Sequence, residues 1–474
     1  MSRKHALSIA LLASIAGLSY TAIANPPPVA DEMDSEPVDT PPNAAALGGA
    51  ELHSLAANSS LAANSAHAHA LIALPAPDSV NTAKIQQLRG QQIKQGKPLQ
   101  IGFSRDIVKP DIDLGHLNWQ TLSDGAQVTS FEISSTNAAA LRVALQLSGN
   151  GAHPGDPSQA TLRFASKDGR VFEQNGAYFA GSAPGWSAVV AGARMVVEIE
   201  LPKGQSPQNF TLKMPKVSHM DISPVANDAM MQPMSGESGS CEHDVACRTN
   251  PTPGFISATK SVARMLITNK DGSTFTCTGT LLNNLNTPKK FLFWTASHCI
   301  STQDVANTLQ TYWFYDAATC NGSKINPEYA TLSGGAYVRY TNDTRDVSLL
   351  ELKTAPPSGA FFAGWTSQAI PSTGTPIIGI HHPQGDVKKY SLGNVTALSR
   401  SFEDKSPLYR VQWKAGVTED GSSGSALFTV KDNGAYQLRG GLFDGGSSCK
   451  TPKEPDYYSR FSDVYPHIRK YLSK

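Results

Sequence analysis

The stretch VTEDGSSGSALF, Val417 to Phe428, places Ser422, Ser423 and Ser425 around Gly421 and Gly424 and then turns apolar. A serine hydroxyl is a poor nucleophile unless a neighbouring base takes its proton and backbone N–H groups receive the oxyanion. A glycine-flanked turn can expose both. A Gly-Ser cluster by itself more often marks a linker or a turn. This one sits between strand-like runs, LYRVQW before it and ALFTV after it, so its meaning depends on what else the chain carries.

Two further stretches bear on it. FLFWTASHC ends an apolar strand at His298, a residue that would be structural if it stood alone. RDVSLLEL puts Asp346 at the head of another apolar run. A carboxylate about to be buried there needs a hydrogen-bonding partner, because leaving it unpaired costs several kcal/mol, and a histidine N–H would serve. Asp343, in TNDT, has the commoner explanation of a turn residue, so Asp346 is preferred. Histidine, aspartate and the serine cluster follow one of the known chain orders for an acyl-transfer triad.

Outward from these stretches, 474 residues suffice for more than one domain with full cores. Forty basic and 39 acidic side chains give a net charge of +1, so no bulk field would gather nucleic acid or an anionic membrane. Residues 1–24 read as a secretory signal peptide: Ser2-Arg3-Lys4 is basic, Ala6 to Leu18 is apolar but short for a membrane span, and Ala22-Ile23-Ala24 is a small-residue cleavage site. The mature chain is therefore expected to be secreted without a membrane anchor, passing through the periplasm if the source is Gram-negative. Cys241, Cys247, Cys277, Cys299, Cys320 and Cys449 all lie in the second half, where export favours disulfides. Their spacing argues against zinc, and neither a metal nor a cofactor is expected.

Residues 25–97 are rich in Ala, Pro, Asn and Ser and read as a flexible lead-in. Short alternating runs such as LRVALQLSG and RMVVEIELP predict a β-rich domain over 98–216. Residues 217–235 read as an exposed linker, open to proteolysis. From 236 to 474 some ten or more short strands predict an all-β double barrel or sandwich. Only the tail shows helical spacing, with Val464, Ile468, Tyr471 and Leu472 on one face behind a Ser462 cap. His381-His382, in IGIHHPQG, lacks metal-ligand neighbours and reads as structural, with one ring buried and hydrogen-bonded.

TASHC, DVSLL and GSSGSA resemble the triad blocks of the chymotrypsin-like serine peptidases, TAxHC, D[IV][AS]LL and GDSGGP. More narrowly, CTGTLLNN, FLFWTASHC, LLEL, FAGW, IHHP, VQW and GVTEDGSSGS, in that order, resemble the bacterial lysyl endopeptidases over most of 236–474. The resemblance implies a chymotrypsin-like double β-barrel with a C-terminal helix, preceded by a β-rich pro-domain. It implies His298 as general base, Asp346 as the acid orienting it, and Ser423 as nucleophile, with the N–H groups of Gly421 and Ser423 as oxyanion hole. It also implies the bridges Cys241–Cys449, Cys247–Cys320 and Cys277–Cys299. Of these only the last has a local argument, since it ties the strand before the histidine loop to the loop itself.

The expected protein is thus a zymogen, acting on proteins and peptides as a monomer, whose pro-region aids folding and inhibits until removed. Gly236 to Cys241 matches the family's mature start, but Ser235 precedes it, so another protease is expected to make that cut. Ser422 replaces the aspartate through which trypsin answers its new amino terminus, and Val417 occupies the position of trypsin's pocket acid. The family's own pocket acid carries over to Asp456 in PDYYSRF, with Asp444 in GLFDGGSSC as second candidate. Phe443 stands where lysine-specific relatives place a histidine, and SFEDKSPLYR lacks their tryptophan. Lysine preference with arginine accepted is therefore expected. The competing readings are a same-fold peptidase of arginyl, glutamyl or broad specificity and an inactive binding homologue.

Overall fold

In the computed structural model, residues 33–39, 69–78, 83, 98–166, 169–222, 224, 238–402 and 405–473 are described. The expected signal peptide lies outside them. Six strands of the C-terminal half close a barrel: Tyr436–Gly445, Ala426–Val430, Pro376–His381, Lys389–Phe402, Lys405–Ala415 and Asp456–Tyr458, the last pairing back onto the first. Closure pairs these six strands with one another, and Gly364–Thr366 adds in parallel along the open part of Tyr436–Gly445. The other half of the catalytic region runs, neighbour by neighbour, through Ala330–Leu332, Gln310–Trp313, Val262–Thr268, Thr274–Leu281, Leu292–Thr295, Val347–Leu352 and Ala336–Asn342.

A shared apolar core joins the halves. Trp294, Leu349, Trp365, Ile380 and Phe428 meet the helix Phe461–Leu472, and Trp365 sits 5.5 Å, ring to ring, from both Phe461 and Tyr465. Val464, Ile468 and Leu472 are buried as their spacing predicts, while Tyr471 is only partly buried. The helix starts two residues earlier than expected, with Arg460 rather than Ser462 at its cap. Two helices were not expected. Pro253–Ser261 is capped by Thr252, whose hydroxyl accepts the Phe255 N–H at 3.3 Å, with Pro253 in the first turn; Gln303–Asn307 is a single short turn.

Upstream, two sheets face each other across a core containing Phe131, Leu141, Phe164, Val197 and Leu212. One of them is continuous with the catalytic region. Leu99–Asp106 pairs with Thr274–Leu281, aligning Gly102 with Thr274 and Leu99 with Thr276. The seam is sealed by Leu99, Ile101 and Met220 against Leu266, Tyr312 and Tyr315. Arg142, fully buried, crosses it to donate to Thr268 Oγ1 at 2.9 Å and to the Thr308 carbonyl at 3.1 Å.

The described parts of 25–97 are strands rather than loose chain. Asp34–Ser35 pairs with Gly364–Thr366, Val38–Asp39 with Phe361–Phe362, and His69–Leu74 lies parallel to Gln127–Ser135. Their sequence cannot build a core, but a backbone needs only a free edge to pair with, and the catalytic region and the pro-domain supply those edges. The strand Phe210–Met220 likewise continues past the expected start of the linker. The three disulfides pair Cys241 with Cys449, Cys247 with Cys320 and Cys277 with Cys299, as the resemblance implies. Among the described residues no helix is long and apolar enough to cross a membrane.

Candidate active site

The strand Leu292–Thr295 ends at the turn that carries His298, and the Cys277–Cys299 disulfide fastens that turn to its neighbour strand. Asp346 precedes the strand Val347–Leu352, which pairs with Leu292–Thr295, so strand pairing brings the two residues together. His298 Nδ1 lies 2.8 Å from Asp346 Oδ2, the His298 backbone N–H donates to Oδ1 at 3.0 Å, and the Ser297 hydroxyl donates to Oδ1 at 3.1 Å. The carboxylate is almost wholly buried, whereas the imidazole is 25% exposed and open to a substrate. A carboxylate held this way accepts a hydrogen bond from Nδ1–H and leaves Nε2 as an acceptor. Asp346 has φ +50°, a conformation Asp adopts more readily than most residues.

The serine stretch forms a tight turn before Ala426–Val430. Gly421 and Gly424 have φ +89° and +81°. A Cβ at Gly424 would stand 2.3 Å from Thr295 Oγ1 and 2.7 Å from the Ala296 nitrogen, so only glycine lets this turn approach the histidine loop so closely. Thr278, which sequence reasoning did not single out, pins the turn from the facing strand. Its N–H donates to the Ser423 carbonyl at 2.9 Å and its hydroxyl to the Gly421 carbonyl at 2.9 Å. Among the described residues the N–H groups of Gly421 and Ser423 have no partner. Ser423 is 3% exposed and lines a cleft of about 270 Å³.

The histidine pair is structural, and both rings are buried rather than one. His381 Nδ1 lies 2.9 Å from Ser422 Oγ and its Nε2 lies 3.0 Å from Ser391 Oγ, while His382 Nδ1 meets the Asp386 carbonyl at 2.9 Å. Burial, with Lys389 nearby, pushes His381 down to about 3, so the ring is neutral. It thereby holds Ser422, the residue beside the candidate nucleophile.

The cleft is lined by Thr418, Glu419, Asp420, Leu442, Asp444, Gly445 and Ser447, with Gly239 and Lys450 also facing it. Gly239 donates its N–H to Glu419 Oε2 at 2.9 Å, drawing the first residues of the catalytic region into the wall. Asp456 lies behind the wall, fully buried. It accepts from Trp413 Nε1 at 2.5 Å, from the Thr418 hydroxyl at 2.7 Å, and from the Ser447 hydroxyl and N–H at 2.6 and 3.2 Å. Burial raises its pKa against these bonds. Thr418 and Ser447 thus carry its field into the cleft. Asp444 lines the cleft directly, and its pKa is raised by burial against the bond from the Gly445 N–H. Phe443 is partly exposed, outside the lining, with Lys405 Nζ 5.3 Å from its ring centre.

The pattern described as lysyl endopeptidase N-terminal domain matches residues 73–221, and that described as lysyl endopeptidase, C-terminal domain matches 235–459. Over 480 residues, 100% of both chains, the protein is 39% identical to a lysyl endopeptidase of Pseudomonas aeruginosa. Its fold is similar to the Rv3671c protease of M. tuberculosis in its active form, at 17% identity and TM-score 0.34 over 53% of this chain and 95% of that one. A second similar structure, the HtrA-type protease AlgW with tripeptide, has 13% identity and TM-score 0.31 over 45% of this chain and 60% of that one. The two domain patterns in order, and identity from end to end, show what the low structural overlaps alone do not: this all-β, chymotrypsin-like double-barrel chain belongs to the lysyl endopeptidase family and is a serine endopeptidase.

Proposed function

We propose that the protein is secreted as a precursor and cleaves protein substrates after lysine, accepting arginine, through His298, Asp346 and Ser423. His298 Nε2 takes the Ser423 hydroxyl proton as Oγ attacks the scissile carbonyl carbon. The N–H groups of Gly421 and Ser423 receive the oxyanion. The protonated imidazole, steadied by Asp346, gives its proton to the leaving amine, and water then hydrolyses the acyl-enzyme by the same base. The observation that carries this reading is the grip of Asp346 on both the ring and the backbone of His298.

For the cation before the cut, Asp456 supplies charge through the hydroxyls of Thr418 and Ser447, which line the cleft. Neutral side chains leave that charge unmatched. Asp444, on the wall itself, is the second candidate. The continuous sheet between Leu99–Asp106 and Thr274–Leu281 supports a folding role for the pro-domain. Among the described residues the lining of the cleft comes from 239–450.

Labelling with a fluorophosphonate and profiling of cleavage sites test the reading together. Labelling should vanish in Ser423→Ala, and cuts should follow lysine and, less often, arginine. Labelling that survives Ser423→Ala and disappears in Ser422→Ala, or cuts without basic preference, would overturn it.

A further inference from the structure

Asp420 stands apart from the other acids of the cleft. It is 6% exposed, it lines the cleft beside Ser423, and its Oδ2 has no hydrogen-bond partner among the described residues. Glu419 is engaged by the Gly239 N–H and Asp444 by the Gly445 N–H, while Asp456 is sealed behind Thr418 and Ser447. The backbone around Asp420 is fixed: its carbonyl accepts the Gln384 N–H at 2.5 Å, and the Glu419 carbonyl accepts the Ser422 N–H at 3.0 Å. Buried polar atoms are almost always partnered, and this buried oxygen, in a residue that lines the cleft, lacks a donor that an entering group could bring. Its neighbours decide which donor fits. Glu419 and Asp444 both repel its negative charge, so a cation relieves three carboxyls at once where a neutral amide would serve one.

We propose that Asp420 receives a second basic side chain of the substrate, that of a residue adjoining the one in the pocket, so that the enzyme favours paired basic residues. The inference rests on Ser423 as the nucleophile. Asp420 immediately precedes Gly421, whose N–H faces the reacting carbonyl in that reading. In that reading the lysine whose carbonyl is attacked directs its ammonium toward Thr418 and Ser447, in front of Asp456, which leaves Asp420 for a second cation. A cation at Asp420 therefore comes from a neighbouring residue. Lys450, also on the lining, is the competing internal cation.

The acceptor is sensitive to pH. Burial first, then Glu419 and Asp444, push Asp420 up to about 7. Asp444 in turn feels His298, Asp456 and Asp346, and Glu419 lies within the field of the buried Glu242. Below about 7 Asp420 is neutral and attracts no cation; above it the charge is present.

The test uses enzyme matured from the full-length chain and matched peptides with lysine before the cut and either lysine or norleucine on one side of it. The ratio of kcat/KM between the two members of a pair cancels the titration of the triad. It should rise about tenfold from pH 6 to pH 8, following the ionised fraction of a group near 7, at one flanking position or the other. In Asp420→Asn it should fall close to one at both pH values, mainly through KM, with recovery in Asp420→Glu. A ratio flat with pH in the wild type overturns the proposal, and that measurement stands even if the variant fails to fold. A ratio unchanged in Asp420→Asn overturns it as well. Replacing the lysine before the cut by norleucine reads the pocket separately: unchanged cleavage there refutes the pocket, not Asp420.

Discussion

Asp346→Asn separates chemistry from fold more cleanly than other changes at this site. The residue has φ +50°, which Asn tolerates as well as Asp, so the turn should persist. An asparagine has one acceptor oxygen where the carboxylate receives three donors at 2.8, 3.0 and 3.1 Å. If that oxygen keeps the His298 and Ser297 donors now on Oδ1, the amide NH₂ faces Nδ1 and forces it to accept. The imidazole proton then sits on Nε2, where the base should be. The loss for the same substitution in another Ser-His-Asp enzyme is about 10⁴-fold in kcat, equivalent to about 5.5 kcal/mol of transition-state stabilisation. The loss of one charge-assisted bond costs the fold about 1.5–3 kcal/mol, and a melting curve reports that separately. The assay is turnover of a lysyl amide with fluorophosphonate labelling rate alongside. Turnover within about tenfold of wild type, in a variant that melts normally, would refute Asp346 as the orienting acid. So would equal damage from Asp343→Asn, because Asp343 offers Asp346 only its carbonyl, at 3.2 Å.

Asp456→Asn should lower lysyl and arginyl turnover together by about 2–5 kcal/mol, as for a lost buried charge partner. Unchanged paired kinetics, with collapse in Asp444→Asn, would move the pocket acid to Asp444. His381, held neutral down to about 3, binds its proton in the unfolded chain from about 6.5 downward. The unfolded state therefore gains protons first, and stability should fall as pH drops below about 6.5, by about 1.4 kcal/mol per unit for this ring alone. Asp420, raised to about 7, shifts stability the opposite way, so the check is a His381→Gln variant: a change in urea midpoint from pH 7 to pH 5 identical to that of the wild type would refute it. Expression of 236–474 without 98–216, with disulfides permitted, should yield little active enzyme, because many long-range strand pairings fold slowly without a template; full activity would remove that role.

The residues legible in the sequence are those whose chemistry restricts their neighbours. His298, Asp346 and the serine turn lie in short blocks whose residue types the reaction dictates, and the barrels follow from alternating strands. Less legible were contacts made across long stretches of chain. Thr278 reaches Gly421 over 143 positions and looks like any threonine in a strand. The strands Asp34–Ser35 and Val38–Asp39 carry almost no apolar signal, since a borrowed edge rather than a core holds them. The helix Pro253–Ser261 was within reach, because Thr252-Pro253 is a capping pair, but its brevity hid its period.

The position of Asp456 bears on how such a pocket can select a cation at all. A bare carboxylate at the end of an empty cleft would be costly to keep ionised, and its pKa would rise until it protonated. Four donors around Asp456 oppose that rise, and two of them, the hydroxyls of Thr418 and Ser447, also line the cleft. With their protons directed at Asp456, the two hydroxyls would offer an ammonium entering the proposed pocket oxygens polarised by a charge it need not touch. A neutral side chain finds the same acceptors with no donor to satisfy them. Asp420 is the opposite case: among the described residues its Oδ2 has no donor, its charge appears only near neutrality, and in the proposed reading it keeps that charge for a ligand that brings its own. The two acids therefore differ in what they demand of a substrate. In the proposed pocket Asp456 acts through the donors that hold it against burial, whereas Asp420 adds a requirement that acid removes.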